Sequence, residues 1–230
     1  MLSRRDWLLH KRRMAELRYD TMFAPQYDER WGRVDPTHAR MVARFLELCG
    51  EGAAILDVAC GTGKYWEMVL ARGCRVVGVD QSAQMLRRAA EKFPGVPVRR
   101  LALQELDFHR EFAGVMCVDA MENIPPEDWP GVLASFHRAL VPGGYLYLTV
   151  EQAAPGQVDT ACQEGQRLGL PVVYGEVAHE GGYHYYPPAD GVRTWLEEAG
   201  FTVIEEASGD GYDHFLARRH SLTGGRTGES

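Results

Sequence analysis

Three observations predict an α/β chain built on a doubly wound sheet. Short β-branched runs alternate with helix-period segments, a glycine loop closes the first run, and the last two runs lie too close together to hold a helix. Strands alternating with helices of this length imply parallel crossover units.

The elements follow in order along the 230 residues. Residues 1–45 read as a mainly helical N-terminal cap or lid, with "YDERWG" and a break at Pro36. Strand-like runs then fall at 54–58, 75–79, 96–101, 112–118, 144–150, 201–206 and 212–218, giving seven strands in a domain spanning 46–218. Helical patterns lie near 64–72, 82–92 and 126–139, and "VRTWLEEAG" stops at Gly200 as helices commonly do. Only "ASGDG" separates the last two runs, so the final strand is expected antiparallel to its neighbour. Residues 151–188 form an insertion after the fifth strand, a helix followed by a hairpin around Gly181-Gly182. Such an insertion lies over the carboxyl ends of the strands, where open α/β sheets bind ligands. The polar, glycine-rich stretch 219–230 reads as a disordered tail.

Composition narrows the class. A formal charge of -7 disfavours nucleic acid held through its phosphates. No apolar stretch approaches a membrane span, and the N-terminus lacks a secretory signal pattern. The five cysteines are scattered, with no C-x-x-C, which fits a reducing cytoplasm and argues against disulfides or zinc. The charge is uneven: residues 1–18 hold six Lys or Arg against two acids. That run reads as a solvated helix face or as a cationic lid over an acidic ligand.

The loop "ILDVACGTGKYWEMVL" (55–70) carries the chemistry. A phosphate-binding loop needs an earlier glycine where Val58 stands, and Ser or Thr where Tyr65 stands. The dinucleotide fingerprint needs a third glycine where Trp66 stands, which opposes a nucleotide-dependent oxidoreductase. What remains is Asp57, Gly61 and Gly63 closing the first strand, with Asp80 closing the second. Glycines let backbone N–H groups approach a ligand. An acid at Asp57 suits a cationic ligand, a carboxylate at Asp80 suits ribose hydroxyls, and Ser82 reads as a helix N-cap.

"ILDVACGTG", "VVGVDQSAQML", "FAGVMCVDAMENIP" and "LVPGGYLYLTVE", in that order, resemble the class I S-adenosylmethionine-dependent methyltransferases, particularly the small-molecule branch related to quinone biosynthesis. The resemblance spans about residues 19–218 and implies a Rossmann-like sheet that binds S-adenosyl-L-methionine. It implies that Asp57, Ala59, Gly61 and Gly63 hold the methionine portion, Asp80 the ribose, and Gln81 and Met85 the adenine. The family's usual adenine aspartate is replaced by Ala102, which passes that contact to Leu103 or Gln104. Val118 and Asp119 would lie beside the sulfonium, and Tyr27, or alternatively Tyr19, would close over the cofactor.

Methyl transfer needs alignment above all, and a base only where the acceptor loses a proton. Asp119, Glu122 and His179 are the candidates for proton handling. In the hairpin "EVAHEGGYHYYPP", Tyr183, His184 and Tyr186 are the candidate acceptor contacts. No metal site is expected, and the partner is a small molecule, with no nucleic acid or membrane, bound by a monomer or homodimer. A non-catalytic protein that binds the same cofactor is the alternative.

Overall fold

The computed structural model describes residues 3–179 and 182–221, with the side chain of His179 also outside the description. The expected tail therefore falls largely outside the described residues, although Arg219 still belongs to the last strand.

Two helices open the chain, α1 (Arg4–Arg18) and the short α2 (Tyr27–Trp31), joined by a π-helical turn at Tyr19–Phe23. Ser3 caps α1 by accepting the Asp6 N–H. Pro36 does not merely break the chain: it opens α3 (Pro36–Cys49), at a position where its missing N–H costs nothing. Then follow β1 (Ala54–Val58), α4 (Trp66–Ala71), β2 (Arg75–Asp80), α5 (Ala83–Lys92), β3 (Val98–Arg100) and β4 (Phe112–Cys117). After them come α6 (Trp129–Ala139), β5 (Leu140–Glu151), α7 (Gln157–Arg167), β6 (Glu176–His179), β7 (Gly182–Tyr185), α8 (Ala189–Glu198), β8 (Phe201–Gly209) and β9 (Tyr212–Arg219). Ser82 caps α5 as the sequence predicts, accepting from the Met85 N–H at 3.1 Å.

The main sheet has seven strands in the order β3-β2-β1-β4-β5-β9-β8. The β3, β2, β1, β4 and β5 pairings are all parallel, while β9 runs antiparallel to both β5 and β8. The last strand is thus internal rather than at an edge. His214 on it is fully buried and accepts from the Tyr147 hydroxyl at 3.0 Å. β6 and β7 form a separate hairpin.

Side-chain alternation divides the core into two layers. Leu56 and Val58 face α6 and α8 with Leu146, Leu148 and Phe215. Ile55, Met116 and Tyr147 face α3, α4 and α5. By the same period Asp57 falls on the Ile55 side. That placement decides its partner.

Candidate active site

The strands β1, β2 and β4 end side by side, and a cavity of about 680 Å³ opens at their carboxyl ends. That size lies within the usual range for small-molecule sites. Ala59, Gly61, Asp80, Gln81, Met85, Val118 and Asp119 line one side, with Ala102, Leu103 and Gln104 beyond them. The opposite wall is the face of α1 that carries Arg4, Leu8, Lys11 and Ala15, together with Arg5, Leu9 and Arg12. Tyr19, Tyr27, Ile124, Pro125 and Tyr183 complete it.

The loop after β1 turns through left-handed backbone at Ala59 (φ 55°) and Gly61 (φ 53°). Asp119, just after β4, has the same conformation (φ 55°). Non-glycine residues seldom adopt it, and such strain concentrates at functional sites. Tyr27 lies over Gly61: a β-carbon there would stand 3.8 Å from its ring.

Asp80 joins the first two loops. Its Oδ2 accepts the Gly61 N–H at 2.9 Å and its Oδ1 the Ser82 N–H at 2.8 Å. Burial pushes its carboxyl up to about 6, against the pull of those amides. The group is fixed in place, borders the cavity and is ionised above that pH, which suits a pair of hydroxyl donors. Tyr19 and Tyr27 are raised by burial and stay protonated, so both hydroxyls remain available as donors.

Asp119 is a charged residue of the cavity wall. His38 Nε2 donates to its Oδ1 at 2.9 Å, and Lys64 Nζ stands 3.6 Å from its Oδ2. Its own N–H donates to Thr149 Oγ1 at 2.8 Å. Burial opposes its charge, but His38 and Lys64 outweigh this and hold its carboxyl below the usual carboxylate range.

Glu122 behaves differently. It lies in the turn Met121–Asn123, only 5 % exposed, and is absent from the cavity wall although Ala120 and Asn123 belong to it. Asn123 Nδ2 donates to its Oε1 at 3.3 Å, while Oε2 has no partner. Burial, with Asp119 and Glu151 adding repulsion, pushes the carboxyl up to about 8. Such a group binds a proton on folding between the unfolded carboxyl range near 4 and pH 8, so it favours the native state least above pH 8. Glu122→Gln is therefore expected to flatten the fall in stability across that window and to stabilise the protein by on the order of 2 kcal/mol above it. Thermal melts at a series of pH values check this; an unchanged pH slope would contradict it.

Residues 55–144 match the model of a family described as "Methyltransferase domain". The chain is 26% identical over 194 residues to a ubiquinone biosynthesis O-methyltransferase of Xanthomonas euvesicatoria, covering 80% of this chain and 76% of that one. It is 27% identical over 188 residues to a tRNA U34 carboxymethyltransferase of Klebsiella pneumoniae, covering 80% of this chain and spanning about half (53%) of that protein. A solved Burkholderia thailandensis didemethyltoxoflavin N-methyltransferase, bound to its acceptor and S-adenosylhomocysteine, superposes with a TM-score of 0.67 at 21% identity, over 92% of this chain and 91% of that one. Together these likenesses support a class I S-adenosylmethionine-dependent methyltransferase.

Ten of the residues expected at the site of this methyltransferase share the cavity wall on its strand side or under its cap: Tyr27, Ala59, Gly61, Asp80, Gln81, Met85, Leu103, Gln104, Val118 and Asp119. Tyr183 joins them from the hairpin. Gln104 also donates through Nε2 to Asp128 at 3.0 Å.

Others are placed elsewhere. Asp57 does not face the cavity. It is 3 % exposed and accepts Trp66 Nε1–H at 2.7 Å. Burial pushes its carboxyl up to about 8. Gly63 is also off the wall, with φ 74°, and a β-carbon there would stand 2.7 Å from the Trp66 ring. The indole fills the space beneath the loop that a third glycine would leave open. His184 and Tyr186 are also off the cavity wall, on the hairpin face opposite Tyr183. His184 Nδ1 is 3.1 Å from Glu151 Oε2, and the Tyr186 hydroxyl donates to the same oxygen at 3.2 Å. His179 ends β6, and its side chain is outside the described residues.

Sequence reasoning missed His38 and Lys64 as partners of Asp119, and it did not separate the lid reading of the basic run from that of a solvated helix face. His38 stands 81 residues before Asp119, and no local pattern links them. The basic run of residues 1–18 was the one available signal for the wall.

Proposed function

We propose that this methyltransferase moves the methyl group of S-adenosylmethionine to a small-molecule acceptor by in-line displacement. The carrying observation is that Asp80, Asp119, the α1 face and Tyr183 all line one cavity at the carboxyl ends of the strands. Bound S-adenosylmethionine supplies a methyl group already activated on a sulfonium.

The residues fit that cofactor in kind. The left-handed turn at Ala59 and Gly61 brings backbone close to a ligand, and Asp80 offers a fixed carboxylate to ribose hydroxyls. The apolar pair Met85 and Leu103 offers flat contact to an adenine. An ionised Asp119, steadied by His38 and Lys64, places negative charge where a cationic sulfur is bound. The remaining wall orients the acceptor and excludes water, the principal demand of this reaction. Where the acceptor gives up a proton, Asp119 is a carboxylate of the cavity wall that can take it, and Glu122 is a reserve site in the same turn as Ala120 and Asn123.

Calorimetric titration with S-adenosylhomocysteine, run beside NADH, tests the cofactor. Saturable heat with the first and none with the second is expected. A screen of small acceptors with labelled S-adenosylmethionine then reads transfer itself. Binding without transfer to any acceptor would favour the non-catalytic alternative.

A further inference from the structure

Residues 19–31 lie between two well-anchored helices. On one side α1 is pinned by buried groups: Arg4 pairs at 2.7 Å with Glu176, a fully buried carboxylate that also accepts the Tyr183 hydroxyl at 2.6 Å. Trp7 meets the ring of that tyrosine edge-on at 5.9 Å. Breaking a buried pair strands a charge, so this helix stays in place. On the other side α3 enters the core through Met41, Val42 and Phe45, all fully buried.

The stretch between them is tied down differently. Asp28 accepts the Thr62 hydroxyl at 2.6 Å and pairs with Arg88 at 2.9 Å and Lys92 at 2.7 Å. Asp20 accepts the Ser82 hydroxyl at 2.5 Å and the Gln84 N–H at 3.1 Å. Inside the cavity, Tyr19 adds a hydrogen bond with Asn123. Asp28, Arg88 and Lys92 are 25, 28 and 37 % exposed, and pairs open to water are individually weak and screened by salt. Burial opposes the Asp28 charge, but Lys92, Thr62 and Arg88 hold its carboxyl below the ordinary value, so these pairs persist at neutral pH. The rings of the stretch pack on one another: Tyr19 on Phe23 at 5.2 Å, Phe23 on Trp31 and Trp31 on Tyr27 at 5.6 Å each. Such a self-packed stretch moves as one body. It starts in the π-helical turn Tyr19–Phe23, a geometry common at functional hinges. Its Tyr27 lies over Gly61, on the cofactor side of the cavity.

We propose that residues 19–31 are the gate for cofactor exchange, latched by Asp28 on Arg88 and Lys92 and by Asp20 on the start of α5, and that they open while α1 and its acceptor-side wall stay in place. This rests on S-adenosylmethionine as the cofactor. None of Asp20, Asp28, Thr62, Ser82, Arg88 and Lys92 lines the cavity, so the latch acts on a bound ligand only through the gate. Segments held by few, solvent-exposed ties open far more often than the fold as a whole. S-adenosylhomocysteine therefore leaves without dismantling the wall formed by α1 and Tyr183.

Stopped-flow mixing with S-adenosylhomocysteine, followed by tryptophan fluorescence, reads the association and dissociation rate constants. Asp28→Ala should raise both about fivefold, as expected for two exposed pairs, and change affinity much less. Arg88→Ala with Lys92→Ala removes the same latch from the opposite side and should give the same result. Arg193→Ala, which breaks an exposed pair with Glu206 on the far helix α8, should alter neither rate. Raising salt from about 50 to about 500 mM should speed both steps in the wild type and have little effect in Asp28→Ala. The proposal is overturned if neither latch variant changes the rates. It is equally overturned if dissociation alone rises and affinity falls in proportion, the mark of a lost ligand contact. Failure of S-adenosylhomocysteine to bind the wild type would instead sink the cofactor assignment.

Discussion

Asp80→Ala should weaken binding of S-adenosylhomocysteine by ~1.5–3 kcal/mol, the cost of losing hydrogen bonds to a charged group. The effect has two sources. The carboxylate borders the cavity at the end of β2, and it also ties the Gly61 and Ser82 amides together at 2.9 and 2.8 Å. Removing it takes away a contact and loosens the loop that carries Ala59 and Gly61. Asp80→Asn separates the two, because an amide oxygen can still accept one backbone N–H while the negative charge is gone. Calorimetry on both variants should rank wild type above Asn and Asn above Ala. Equal affinity in all three would remove Asp80 from the site. The pH dependence has a definite direction. Asp80 titrates near 6, so wild-type affinity should fall as pH drops through that value, and Asp80→Ala should show no such fall.

Trp66→Ala should cost ~3–5 kcal/mol of stability, the usual penalty for deleting a fully buried tryptophan. The indole is 0 % exposed and packs against Phe93 with ring centroids 5.4 Å apart. Its atoms lie so close to Gly63 and Gly78 that a β-carbon at either would collide, at 2.7 and 2.4 Å. Losing it empties the space under the loop and leaves Asp57 buried without its donor. Trp66→Phe keeps most of the volume and removes only the N–H, so it should cost ~1–3 kcal/mol. That smaller loss should grow from pH 6 to pH 9, since the Asp57 carboxyl titrates near 8 and needs the indole most when ionised. Denaturant unfolding at the two pH values reads the difference. A pH-independent loss would mean that packing alone explains the residue.

These two residues also mark what was legible in the sequence. Asp80 ends a β-branched run, and a strand's carboxyl end in an alternating α/β chain is where ligands are held, so its place followed from local pattern. Asp57 ends such a run in the same way, but its side chain is turned from the cavity. Strand alternation sets it on the Ile55 face, where Trp66 waits nine residues later with an indole N–H. The sequence carried both halves of that pair, and Trp66 alone counted against a dinucleotide. Only packing shows that each is the other's partner. The hairpin repeats the lesson. Alternation separates Tyr183 from His184 and Tyr186, yet which face meets the cavity depends on where α1 and Glu151 lie.

From its residues alone this chain determined its strand and helix order, the antiparallel last strand, the caps of its helices and the Gly61–Asp80 pair of loops. Those features depend on periods of two and 3.6 and on contacts a few residues apart, which a linear string preserves. Tertiary structure alone decided that β9 lies inside the sheet, that His38 and Lys64 hold Asp119 ionised, and which residues of the basic N-terminal helix line the cavity. Each of these joins groups far apart in the chain through burial and charge, and no local spacing records where the fold will bring them together.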